Sequence, residues 1–235
     1  MRPQPIAPYP RMSHTLYGAC RLACKFIKFQ CVSEVVLHRE RVDRPGGLLL
    51  ACTHISHLEP IVIASLVRRN VRWMTRIEFY QNRLGAAILN KGGAFPVNRF
   101  GFTLPAVRRG MELVQEGEIV GVFPEGGVAK GGDSLLRGGP IKQGICTISL
   151  RTNTPIIPVV VLGTEKLNCV KPWIPPRRAR LYTSFGREVA PHSRAGGPVN
   201  NRKDRQQLAD RLRAEFELTY RELLAHIGLT DKDVP

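Results

Sequence analysis

The stretch IIPVVVLG at 156–163 is apolar at every position up to its closing glycine, and that constrains the chain more than any other feature. A short run with no polar alternation reads as an all-apolar core strand. Three earlier stretches carry similar punctuation. GGLLLACT (46–53) follows a Pro-Gly-Gly turn, GAFPV falls at 93–97 and EIVGVFP at 118–124, with VRWMT (71–75) as a further short strand. Helical patterns fall between them at 60–67, 79–89, 103–116 and 142–152. Strands alternating with helices predict a single α/β domain: a mixed, mostly parallel sheet flanked by helices. A late strand, ARLYTSFG (179–186), is expected at a sheet edge. The clearest helix is 203–227, where Leu208, Leu212, Phe216, Tyr220, Leu223 and Leu224 form one stripe. At 235 residues and 43% apolar composition, the chain suits one well-buried core.

Residues 1–14 are proline-rich and are expected to be a flexible tail. Residues 15–37 are expected to be helical, with Leu16, Ala19, Ala23, Phe26 and Ile27 at helical spacing and Arg21, Lys25 and Lys28 between them. Such a segment can lie in a membrane interface, or dock its apolar side on the domain. The expected organisation is a tail (1–14), an amphipathic membrane-contacting helix (15–40) and the α/β domain (41–230). No apolar run reaches the roughly 18 residues of a conventional transmembrane helix.

Four polar or glycine-rich clusters sit where apolar strands end: THISHLEP, VNRFG, PEGG and LGTEK. In α/β sheets ligands bind beyond the carboxyl ends of strands, so a shared site is expected there. In the first cluster, Ser56 and Glu59 have the spacing of a capping box. Pro60 prefers the first helical position, which moves Glu59 to the N-cap and leaves His54 and His57 in the preceding turn. Across that bend Glu59 can accept from the proton-bearing ring nitrogen of His54 and leave the other ring nitrogen free as a base. Spacing alone leaves two readings open: a polar helix start, or a histidine-carboxylate pair. His57 competes for the role but has no carboxylate at a matching distance. Arg99 follows a strand end, and Glu125 precedes the Gly126-Gly127 pair. Lys130, Arg137 and Lys142 come soon after; together with the glycines they could build a phosphate pocket.

In order and spacing these blocks resemble the glycerolipid acyltransferase family, which includes the 1-acylglycerol-3-phosphate acyltransferases. The matching segments are HISHLEP (54–60), GAFPVNR (93–99), VFPEGG (122–127), PIKQG (140–144) and TPIIPVVVLG (154–163), across about residues 45–165. The resemblance implies an O-acyltransferase that moves a fatty acyl group from acyl-CoA or an acyl carrier protein to the hydroxyl of a lysophospholipid. It also implies work at the cytoplasmic face of a membrane, as a peripheral or monotopic protein in phospholipid biosynthesis. By position His54 becomes the general base and Glu59 the residue that orients it. Arg99, Glu125, Gly126, Gly127 and Lys142 become the lining of the acceptor headgroup site. Two departures stand out. Glu59 replaces the usual aspartate, and EGGV replaces E-G-T-R, removing an arginine from the phosphate site.

Thirty-five basic residues against 19 acidic give a net charge of +16, which attracts anionic lipid, acidic acyl carriers or nucleic acid. Only 7% of residues are aromatic and they form no stacking platform, so nucleic acid is not an expected partner, although a basic nucleic-acid- or lipid-binding protein remains the alternative class. The six cysteines show no C-x-x-C pair and no tetrahedral ligand spacing, so neither a metal nor a cofactor is expected.

Overall fold

The computed structural model describes residues 13, 15, 17–19, 21–22, 32–98, 103–129, 131–167, 179–191, 201–231 and 234. Within them seven strands form one sheet: β1 (Val32–Leu37), β2 (Leu48–Cys52), β3 (Val71–Arg76), β4 (Phe95–Val97), β5 (Ile119–Val122), β6 (Ile156–Leu162) and β7 (Ala179–Phe185). Their order is β1-β7-β6-β2-β5-β3-β4. Strands β2 to β6 run parallel, β7 is antiparallel to β6, and β1 pairs parallel with β7. Every residue of β2 and of β6 is buried, as an unbroken apolar run requires of a strand covered on both faces.

The pleat sends alternate side chains to two cores. Leu49, Ala51, Val120, Ile156 and Val160 meet α3 (Leu104–Gln115), α4 (Gly144–Thr152) and α5 (Arg202–Ile227) on one face. Leu48, Leu50, Cys52, Ile119, Val159 and Val161 meet the eight-residue α1 (Glu59–Leu66) on the other. The stripe from Leu208 to Leu224 is buried along the 26-residue α5. The helix α2 (Arg83–Lys91) starts at an Asn82 cap whose side chain accepts the Leu84 N–H at 2.9 Å. A short 3-10 turn, Ile77–Tyr80, precedes it, so the helix expected over 79–89 divides in two.

Two expectations are corrected. Residues 32–37 are a strand rather than the end of a helix. VSEVVL is rich in β-branched residues, and pairing with β7 satisfies its backbone. The strand β7 is therefore interior, flanked by β1 and β6, instead of lying at an edge. The sheet domain accordingly includes residues from 32 onward, ahead of the expected boundary at 41. Residues 15, 17–19, 21 and 22 are helical; Tyr17 is buried and its hydroxyl accepts the Val71 N–H at 2.9 Å, while Ala19 and Leu22 are exposed. Residues 23–31, the rest of the expected helix, lie outside the described residues, as does the tail apart from Ser13. Among the described residues no helix is long and apolar enough to cross a membrane.

Candidate functional site

Strands β6, β2 and β5 are neighbours with parallel directions, so the clusters LGTEK, THISHLEP and PEGG leave the sheet side by side. Thr53 stays in register after β2 ends. Its N–H donates to the Val159 carbonyl at 3.1 Å, and its Oγ1 accepts the Val161 N–H at 3.0 Å. The chain then bends. The His54 N–H donates to Glu125 Oε2 at 2.7 Å, and its carbonyl accepts the Ala129 N–H at 2.9 Å. The bend is thus clamped on both sides by the segment that follows β5.

Across the bend, His54 Nδ1 lies 3.0 Å from Glu59 Oε2. A carboxylate oxygen accepts, so Nδ1 carries the proton and Nε2 is left as the acceptor nitrogen. The other oxygen, Oε1, accepts the Ser56 N–H at 2.8 Å, while Ser56 Oγ accepts the Leu58 N–H at 3.0 Å. Glu59 is the first residue of α1, with Leu58 as the cap and Pro60 second. The helix thus begins one residue earlier than Pro60 implied: the cap is Leu58, neither Ser56 nor Glu59, and Pro60 takes the second helical position. One carboxylate accepts the Ser56 N–H with one oxygen and holds an imidazole with the other.

Glu59 is 0% exposed, and a buried carboxylate needs every lone pair addressed. Thr164 meets that need by donating its hydroxyl to Oε1 at 2.5 Å. Gly163 makes this possible. Its φ is +89°, and a Cβ there would lie 2.0 Å from the Arg180 carbonyl oxygen, so only glycine turns the chain sharply enough after β6 to bring Thr164 under Glu59.

The imidazole is also packed. Phe123 stacks on His54 with ring centroids 4.1 Å apart, and Trp73 stacks behind Phe123 at 5.1 Å. The His54 side chain keeps 14% exposure, enough to meet a substrate. His57 is exposed, with its ring edge-on to His54 at 6.1 Å; the carboxylate serves His54. Cys52, two residues before His54, is not a second nucleophile. Burial, followed by the Glu59 and Glu125 charges, pushes its thiol pKa well up, so it stays a thiol. Among the described residues no cluster has the ligand set of a metal ion.

The resemblance implies a lining role for Glu125, yet its carboxylate points inward. Oε2 takes the His54 N–H, and Oε1 takes the Leu135 N–H at 2.8 Å. Burial raises its pKa, opposed by those two amides and by His54 and reinforced by Glu59. The other expected residues divide. Gly126 has φ +79°, and the Lys142 chain lies so close across it that a Cβ would fall 2.4 Å from Nζ. The Lys142 N–H is tied to the Pro124 carbonyl at 2.9 Å, and the residue is exposed. Gly127 is half-buried beside them. Arg137 is committed elsewhere: it pairs with Asp231 and donates to the Val234 carbonyl at 2.8 Å. Arg99 and Lys130 lie outside the described residues.

Spacing did not reveal Thr164, Phe123 or Trp73. LGTEK marked Thr164 as a polar residue at a strand end, but its partner depends on β6 lying beside β2.

Comparison with known proteins gives a family and a fold. Residues 34–162, more than half of the chain, match the family described as Acyltransferase. The chain is 28% identical over 149 residues to a 1-acyl-sn-glycerol-3-phosphate acyltransferase of Bacillus subtilis, covering 63% of this chain and 72% of that protein. It is 43% identical over 61 residues to a chloroplastic 1-acyl-sn-glycerol-3-phosphate acyltransferase of Brassica napus, covering 26% and 17%. The crystal structure of the 1-acyl-sn-glycerophosphate (LPA) acyltransferase PlsC from Thermotoga maritima superposes with a TM-score of 0.59 at 18% identity, over 89% of this chain and 77% of that one, which establishes a shared fold.

Proposed function

The chain belongs to the acyltransferase family, and from that premise we propose that it moves a fatty acyl group from an acyl thioester, carried on CoA or an acyl carrier protein, to the free hydroxyl of a lysophospholipid of the 1-acylglycerol-3-phosphate type, as a step of phospholipid biosynthesis. The observation that carries the reading is the His54–Glu59 contact at 3.0 Å, made by a carboxylate that is itself fully buried and hydrogen-bonded.

Chemistry follows from that arrangement. The acceptor hydroxyl gives its proton to His54 Nε2 as its oxygen attacks the thioester carbonyl. Glu59 keeps the ring turned and balances the positive charge that develops on it. When the tetrahedral intermediate collapses, the C–S bond breaks and the departing thiolate takes the proton back from His54. The products are an ester and a thiol, with no acyl-enzyme; the buried Cys52 thiol is in keeping with direct attack. A positioned general base contributes about 10²–10⁴ in rate.

For the acceptor phosphate, Gly126, Gly127, Lys142 and Arg99 are the proposed lining. Lys142 draped over Gly126 supplies a cation in the block where the arginine of E-G-T-R is absent. Glu125 acts behind this surface by holding the bend. The net charge of +16 supports operation at the anionic cytoplasmic face of a membrane, as a peripheral or monotopic protein.

The test offers labelled acyl-CoA or acyl carrier protein with a panel of lysolipids and lipid alcohols, and reads products by mass spectrometry. Wild type is expected to acylate the phosphate-bearing lysolipid and His54→Ala to lose transfer while keeping its circular-dichroism melt. Full activity in His54→Ala would remove His54 from the chemistry.

A further inference from the structure

Eight large apolar side chains stand exposed among the described residues, and four of them fall within twelve positions: Ile77 at 42%, Phe79 at 51%, Leu84 at 70% and Ile88 at 54%. They occupy the 3-10 turn that leaves the carboxyl end of β3 and the helix α2 that follows. Two others, Ile61 and Leu104, lie at the starts of α1 and α3, in the connections that leave β2 and β4. The exposed apolar surface is thus concentrated in segments leaving the end of the sheet that carries His54.

The helix α2 is unusual within the fold, because none of its nine residues is buried. Leu84 and Ile88 are one turn apart and share a face, with Ala87 exposed beside them. Soluble proteins seldom leave such a face open without an occupant. The charges say which occupant. Arg83 and Lys91 sit exposed at the two ends of the helix, and Arg76 borders the turn with Glu78 as the one acid of the 76–91 segment. A second copy of the chain would bring another +16 to this face. A nucleic acid would gain little from Leu and Ile at its centre. Apolar side chains ringed by basic ones match an anionic bilayer, with the aliphatic groups at the acyl boundary and the cations among the headgroups.

We propose that the surface formed by Ile77, Phe79, Leu84 and Ile88, framed by Arg76, Arg83 and Lys91, docks the protein on an anionic lipid bilayer. The inference rests on the lipid acyltransferase reading and sharpens it, because it places a bilayer contact on α2 and the turn before it. Docking here would hold the carboxyl end of the sheet toward the membrane, where a lysolipid acceptor resides.

The experiment compares wild type, a Leu84→Asn/Ile88→Asn double variant and His54→Ala. Each is sedimented with phosphatidylcholine vesicles, with and without phosphatidylglycerol, and assayed for transfer to a water-soluble short-chain acylglycerol phosphate. Wild type and His54→Ala are expected to partition onto the anionic vesicles. The double variant should partition roughly tenfold less or weaker, with an unchanged melt and unchanged transfer to the soluble acceptor. Undiminished vesicle binding by the double variant overturns the proposal, as does failure of wild type to bind, or a wild-type dimer that the double variant dissolves. Absence of transfer by wild type would instead overturn the catalytic reading, and the vesicle result would still stand on its own.

Discussion

Two carboxylates bond to different atoms of His54. Glu59, five residues along the same bend, holds its ring, whereas Glu125, on the segment after β5, holds its backbone N–H. Both sit just past the end of an apolar strand. Their surroundings nevertheless assign them different tasks. Glu59 is fully buried and pairs with the ring proposed to gain and lose a proton, so on that proposal its bonds bear on chemistry. Glu125 accepts from two main-chain amides, His54 and Leu135, so its bonds bear on the shape of the site. The difference teaches that closeness to a catalytic group does not define a role; the atom contacted does.

The comparison can be tested by unequal damage. Glu59→Gln should cost the most, lowering kcat by about 10²–10³ with little change in KM, because the ring loses its orienting anion. If kcat barely moves, the pairing has no catalytic weight. Next is Thr164→Val, which leaves Oε1 with the Ser56 N–H alone. An outer partner of this kind is typically worth about tenfold, so kcat should fall by that factor and Thr164→Ser should restore it. A Ser variant as slow as the Val variant would indicate packing rather than the hydroxyl as the cause.

Glu125→Gln should cost only a few-fold in transfer but about 1–3 kcal/mol in stability, because an amide cannot accept from both main-chain N–H groups. Its pH dependence has a definite sign. Burial raises the Glu125 pKa, so the folded state holds the proton more tightly than the unfolded chain. That contribution is fully present below the ordinary glutamate range and is lost as pH rises through the raised value. In urea unfolding, wild type should therefore lose part of its advantage over Glu125→Gln between mildly acidic and neutral pH. An advantage that grows with pH would contradict the assignment.

What the sequence disclosed follows the same division between near and far. The pairing of His54 with Glu59 was legible because Pro60 marks the start of α1 to within one residue, and five residues leave little freedom across a bend. β6 and α5 were legible because an unbroken apolar run and a long 3.6-residue stripe each need no partner to be recognised. The inward turn of Glu125 was hidden, since it depends on β5 lying next to β2. Thr164 was hidden because β6 lies on the other side of β2. The stack of Trp73, Phe123 and His54 draws on an interior residue of β3 and on the ends of β5 and β2 at once. Reading 32–37 as helix also produced the error at β7: without β1 recognised, its neighbour looked like an edge.

The central claim is that Glu59 acts through His54, and a double-mutant cycle on the transfer rate tests it most directly. His54→Ala, Glu59→Gln and the combined variant are compared with wild type under single-turnover conditions, with folding checked for each. The account predicts that Glu59→Gln slows wild type by about 10²–10³ yet has almost no further effect once His54 is gone. Equal slowing by Glu59→Gln in both backgrounds would show that the carboxylate works independently of the histidine, and would contradict the account.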